Sequence, residues 1–256
     1  MSLLTPIDRW RAPAPNPRKV AWIMGGVFAH RGLHGAGAPE NSRTAFAAAV
    51  DRGLGIEFDV QRTRDGLTVV FHDFELDRMT AETGPIAART AAQLGEIALT
   101  GSAGDTIPTL RQVLDIAGGR VPLLVEIKTR RETRIGALCL AVRRVLEGYL
   151  GPHAVISFDP RVSRWFAVHS PLTVRGLTIT EDSNLTLAMR IKRRLALWHA
   201  RPDILCYDLR DLPSRFAAAQ RRRGLPLVVW TARDAAGRAK ADALADAVIA
   251  EGAGQS

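Results

Sequence analysis

Nine short β-prone runs punctuate this chain, and every gap between them but one carries a helical pattern. The runs are Val27–His30, Ile56–Val60, Thr68–His72, Pro122–Ile127, Ala154–Phe158, Thr173–Ile179, Ile204–Leu209, Pro226–Thr231 and Asp246–Ala250. Helical periodicity falls over Ser42–Arg52, Thr109–Ala117, Thr133–Leu150, Pro160–Val168, Asn184–His199, Ser214–Arg223 and Asp234–Leu244, with Ser, Thr or Asp starts and glycines past several ends. No helix fits between Val60 and Thr68. Asp65-Gly66 there is a hairpin signal that folds the third run back on the second and sets His72 near Glu57 across the pair. Eight strands in βα alternation remain. They predict an α/β chain, a (β/α)8 TIM barrel in a single domain, with a β-hairpin extension after strand 2. A chain of 256 residues, 46% of them hydrophobic, is enough for one such core. Residues 1–26 read as an N-terminal leader and 27–256 as the domain. In a barrel of this kind the chemistry sits at the C-terminal ends of the strands.

Two of those strands carry charge where a buried run should be apolar. Glu57 and Asp59 lie two apart in IEFDV, so both leave one face of the strand. Glu126 and Lys128 repeat the pattern in LLVEIK. Buried carboxylates repel one another and lose hydration, several kcal/mol or roughly that order unless compensated. A bound cation or nearby arginines would both answer; three acids without thiolates suit a hard cation, Mg2+ or Ca2+.

The formal charge of +9 points to anionic partners: a phosphate ester, a lipid surface or nucleic acid. Aromatic residues that stack on bases are not interleaved with the basic ones, which argues against nucleic acid. Cys139 and Cys206 stand far apart without a CxxC, as core residues of a reducing, cytoplasmic compartment. The leader lacks a secretory h-region, and VAWIMGGVFA is shorter than the ~20 residues that span a bilayer. LTLAMRIKRRLALW admits two readings, a barrel helix with a solvated cationic face or an interfacial helix making peripheral contact with anionic membrane. His34, His153, His169 and His199 read as loop or surface residues.

The order HRG (His30–Gly32), PEN (Pro39–Asn41), ExD (Glu57, Asp59), TxDG (Thr63, Asp65, Gly66), HD (His72, Asp73) and EIK (Glu126–Lys128) resembles the glycerophosphodiester phosphodiesterases. LDRMT after the second histidine and IPTLRQVL before the EIK strand add to the likeness, which thins beyond Lys128 to ISF (Ile156–Phe158) and VVWT (Val228–Thr231). The resemblance implies a βα barrel that splits glycerophosphodiesters into glycerol 3-phosphate and an alcohol, aided by one divalent cation. It implies His30 and His72 as the acid–base pair, and Glu57, Asp59 and Glu126 as metal carboxylates. Arg31 and Lys128 would be phosphate-side cations, and Trp230 an aromatic bordering the substrate. Three positions depart from the family's usual pattern: Ser42 for a threonine, Arg233 for an asparagine and Glu251 for an aspartate. The chemistry is coherent on its own terms, since a phosphodiester needs its charge neutralised and its leaving oxygen protonated. A neighbouring glycerol hydroxyl is a tethered nucleophile, and the resemblance implies a cyclic phosphate that water then opens. Two rivals stand beside this reading: a lysophospholipase D-like enzyme acting on lysophospholipids, and a non-catalytic binder of phosphate esters.

Overall fold

A computed structural model describes residues 5–181 and 186–255. The strands are β1 (Val27–His30), β2 (Gly55–Arg62), β3 (Thr68–Val70), β4 (Leu123–Ile127), β5 (His153–Ser157), β6 (Val174–Ile179), β7 (Ile204–Asp208), β8 (Leu227–Ala232) and β9 (Ala247–Ala250). They form one sheet in the order β1-β9-β8-β7-β6-β5-β4-β2-β3, and β1 pairs also with β2. Eight parallel strands with helices between them thus make the closed (β/α)8 barrel, and β3 is the antiparallel extra strand beside β2. No helix among the described residues is long and apolar enough to cross a membrane. The chain divides into two compact units, Phe28–His153 and the residues before and after it.

In the first unit, alternation sorts β2. Ile56, Phe58 and Val60 are fully buried, and Phe58 meets Phe46 edge-on at 5.7 Å between ring centres. Phe46 comes from the helix Arg43–Asp51, which Ser42 caps by accepting from the Ala45 N–H at 3.1 Å. Ala45, Phe46, Ala49 and Val50 give that helix its buried stripe. Each large side chain so buried contributes about 1.5–3 kcal/mol. Opposite them, Glu57, Asp59 and Gln61 take the other face of the strand.

The hairpin turns through a three-residue loop rather than two. Thr63 N–H bonds the Leu67 carbonyl at 3.0 Å, and Gly66 has φ +86, the left-handed residue such loops require. The register is therefore Val60 against Val70 and Arg62 against Thr68. It brings Phe71 opposite Asp59, where the Phe71 N–H donates to the Asp59 carbonyl at 2.9 Å. His72 follows one residue on, where Asp59 is the acid of β2 whose charge acts on its imidazole. After it the chain makes an excursion closed around its own small core of Val69, Phe71, Leu76, Ile86, Leu94 and Ile107. A capping box, Thr109 with Gln112, then starts the helix Leu110–Ala117, which ends on Gly118 in the left-handed conformation.

The second unit packs Leu205, Tyr207, Leu227 and Val229 against helix residues Leu197, Phe216 and Ala217. The leader is not bare. Its residues Thr5–Arg11 form a helix whose Asp8 accepts from Trp198 Nε1 at 2.8 Å and Gln220 Nε2 at 3.1 Å. Lys19 reaches Asp203 at 2.6 Å. The helix expected from Asn184 is seen over Leu187–Ala200, capped by Thr186; Asn184 itself lies outside the described residues.

Candidate active site

Register builds the site. The parallel pairing of β1 with β2 sets His30 beside Glu57, and that of β2 with β4 sets Asp59 beside Glu126. Partners in parallel strands share a face, so two rows of polar side chains come together from residues distant in sequence. The carboxylate oxygens of Glu57, Asp59 and Glu126 lie within 4.8 Å of one another. Glu57 and Asp59 are only 3% and 2% exposed.

The electrostatics of the trio are unequal. Burial, then the charges of Asp59 and Glu126, push the Glu57 carboxyl well above its usual range. Burial and Asp59 likewise push Glu126 up to about 7, against the pull of Lys128. Burial opposes the ionised Asp59 too, but Lys128, His72, Arg31 and an Asn41 hydrogen bond outweigh it and hold its pKa low. Lys128 Nζ stands 3.2 Å from Glu126 Oε1 and 3.4 Å from Asp59 Oδ1. Three acids thus crowd beside the two cations Lys128 and Arg31, and without further positive charge Glu57 and Glu126 are driven to keep their protons.

His30 ends β1, with Nε2 4.0 Å from Glu57 Oε2. Arg31 follows at φ +55, and its N–H donates to Glu57 Oε2 at 3.2 Å. Its Nε is 3.5 Å from Asp59 Oδ2 and, buried, has no hydrogen-bond acceptor among the described residues. Gly32 comes next because nothing larger fits. A Cβ there would lie 2.9 Å from Ala45 Cβ and 3.0 Å from the Phe46 ring, at φ +83. Asn41 mirrors Arg31, at φ +57, with its N–H on the Arg31 carbonyl at 2.9 Å. Its Nδ2 donates to Asp59 Oδ2 at 3.1 Å, fixing that carboxylate's orientation.

His72 Nδ1 pairs with Asp73 Oδ1 at 2.6 Å. Burial lowers the His72 pKa, with Lys128 and Arg31 adding to it against Asp59 and Asp73. Gln61 Nε2 clamps this segment through the carbonyls of Phe71, at 2.8 Å, and Asp73, at 2.6 Å. Two residues that the sequence did not single out complete the frame. Arg78 donates from Nε to Asp73 Oδ2 at 2.5 Å and from both Nη atoms to Glu40, at 2.6 and 3.1 Å. Glu40 in turn accepts from Arg31 Nη1 at 2.9 Å. One chain of charge therefore links the histidine to the arginine: His72, Asp73, Arg78, Glu40, Arg31. Motif membership of Glu40 and Arg78, in PEN and LDRMT, was the available signal.

Seven of the eight expected site residues thus fall in the unit Phe28–His153. Trp230 belongs to the other unit, on β8, where its ring meets Phe158 edge-on at 5.5 Å and its buried Nε1 has no hydrogen-bond acceptor among the described residues. Arg233 and Glu251, two of the departures from the family pattern, pair with each other. Oxygen donors only, two acids pushed toward their protonated forms and a guanidinium nitrogen without an acceptor among the described residues fit a hard cation together with an anionic ligand.

The model of the glycerophosphoryl diester phosphodiesterase family matches residues 30–253. A glycerophosphodiester phosphodiesterase of Caldanaerobacter subterraneus is 38% identical over 110 residues, 40% of this chain and 45% of its own length. The aligned stretch spans less than half the length of the curated relatives it matches. A glycerophosphodiester phosphodiesterase structure from Thermotoga maritima superposes with a TM-score of 0.71 at 26% identity, covering 88% of this chain and 94% of that one. A phosphodiesterase of Oleispira antarctica, solved in complex with the product sn-glycerol-3-phosphate, gives a TM-score of 0.76 at 24% identity, over 89% and 93% of the two chains.

Proposed function

The chain belongs to the glycerophosphoryl diester phosphodiesterase family, and from that premise we propose that it hydrolyses glycerophosphodiesters to sn-glycerol 3-phosphate and an alcohol. The observation that carries this is the convergence of Glu57, Asp59 and Glu126 beside two imidazoles, Arg31 and Lys128. Those three acids would hold Mg2+ or Ca2+, which when bound supplies positive charge to the phosphate oxygens. A divalent ion there would favour ionisation of all three acids and add positive charge on the side where a phosphodiester presents its own negative one.

His72 is the proton acceptor of the first step in this reading. Its depressed pKa keeps it neutral at neutral pH, and Asp73 on Nδ1 leaves Nε2 to take the proton. The glycerol hydroxyl beside the phosphate loses that proton and attacks phosphorus, while His30 gives a proton to the departing alcohol. Arg31, through its acceptor-free Nε, and Lys128 hold the phosphate oxygens. Water then opens the cyclic ester with the two histidines in exchanged roles. The family resemblance gives Trp230 the role of an aromatic bordering the substrate, and residues 27–256 that of the phosphodiesterase domain after a leader of residues 1–26.

A panel of glycerophosphodiesters and lysophospholipids, assayed after chelation and with each cation restored, tests this reading. Turnover of glycerophosphodiesters that needs a divalent ion and is lost in His30→Ala and His72→Ala supports it. Turnover of lysolipids alone would move the assignment to a lysophospholipase D-like enzyme, and tight binding without turnover would make the chain a phosphate-ester binder.

A further inference from the structure

The helix Leu187–Ala200 turns the wrong chemistry toward water. Leu197 and Ala200 are its buried residues and mark the inner side. At 100° per residue, Ile191 and Leu195 fall on the opposite pole, one turn apart, with Leu187 a turn before them. They are 52%, 53% and 74% exposed. A barrel helix with a solvated cationic face would carry its charges at that pole; here Lys192 and Arg194 stand to either side of it and Arg190 lies nearer the inner side. The leader helix Thr5–Arg11 is joined to this one by the Trp198–Asp8 hydrogen bond and extends the apolar strip with Trp10, 70% exposed. Trp10 and Leu195 share the walls of a cleft of about 600 Å³ with Arg11, Arg164 and Arg201.

The surroundings of the strip are cationic. The helix Leu187–Ala200 has no acidic residue. Arg193 and Arg194 are engaged by Glu181 and Asp8, whereas Arg9, Arg190 and Lys192 are exposed and form no ion pair with a described residue. A second copy of a chain with a formal charge of +9 would meet like charge on this face. An anionic lipid leaflet meets both halves of the pattern, apolar side chains for the acyl boundary and cations for the lipid phosphates. Tryptophan is the aromatic suited to that boundary.

We propose that the helices Thr5–Arg11 and Leu187–Ala200 form one membrane-docking face that seats the protein on anionic lipid. Trp10, Ile191 and Leu195 enter the headgroup layer, while Arg9 and Lys192 lie on lipid phosphates.

The test is sedimentation of the full chain with phosphatidylcholine vesicles containing phosphatidylglycerol, and with phosphatidylcholine vesicles alone, at low and high salt. Binding to the phosphatidylglycerol vesicles only, weakened by salt, is expected. Ile191→Ser with Leu195→Ser should lower the partition by on the order of tenfold per side chain, and Trp10→Ala should lower it independently. Both variants should keep the wild-type circular dichroism and the turnover of a water-soluble glycerophosphodiester. No binding to the phosphatidylglycerol vesicles at low salt, or equal binding by wild type and both variants, would overturn the proposal. So would a concentration-dependent dimer in light scattering that the variants abolish, since the strip would then cover a second copy.

Discussion

Glu126→Gln should make the ion-free protein more stable above pH 7 and the ion-loaded protein less stable than wild type. In the ion-free fold Glu126 keeps its proton up to about 7, against 4.5 for an ordinary glutamate. Below 4.5 the folded and unfolded chains both hold the proton and the residue contributes nothing. Between 4.5 and 7 the unfolded chain releases it first, so stability falls as the pH rises. Above that window the loss is complete. At about 1.4 kcal/mol per pH unit it amounts to about 3 kcal/mol. Glutamine never ionises and escapes the penalty, a gain of about 6–12 °C in Tm for a chain of this size. It also lacks the charge a cation needs, so saturating Mg2+ or Ca2+ should raise the wild type past the variant. Scanning calorimetry in chelator and in excess cation, at about pH 5 and about pH 8, reads both effects. A variant less stable than wild type in chelator at the higher pH would refute the reasoning, as would a gap unchanged between the two.

The frame around the trio gives further tests. Asn41→Ala loses a hydrogen bond to a charged group and replaces a residue that tolerates the left-handed region with one that does so less well, about 2–4 kcal/mol together. Cation affinity should fall about 10–100-fold, and titration calorimetry showing no change would separate Asn41 from the acids. Gly32→Ala forces its Cβ against Ala45 and Phe46 at positive φ, about 2–5 kcal/mol, to be read as a lower urea midpoint. Arg78→Ala should leave stability within about 1 kcal/mol, its side chain being half exposed, yet lower kcat more than it raises KM. Arg78→Lys should not restore turnover, because a lysine cannot bond Glu40 and Asp73 through a planar fork.

The barrel was legible because each strand announces itself locally. LLVEI and AVISF are short apolar runs, and Ser42, Thr109, Ser214 and Asp234 cap helices where their side chains predict. Glu57, Asp59 and Glu126 were legible as charges out of place in apolar strands. The placing of His72 against the trio was not, since it depends on the length of one turn. Asp65-Gly66 announces a hairpin, but only the Thr63–Leu67 closure decides that Phe71 faces Asp59. Glu40 and Arg78 stayed hidden for a different reason. The chain has 35 lysines and arginines, and beyond its place in LDRMT nothing local marks the one that bonds a glutamate 38 positions away. The helix Thr5–Arg11 was missed because its anchors, Trp198 and Gln220, lie at the far end of the sequence.

The small core of Leu76, Ile86, Leu94 and Ile107 means that the excursion after His72 carries its own stabilising contacts. Its middle can therefore change length or composition while the eight barrel strands keep their packing, because loop-closure entropy grows only slowly with length. One end stays tethered through Gln61 and the other through the Thr109 cap, so such changes would reshape what stands over the histidine without moving the histidine.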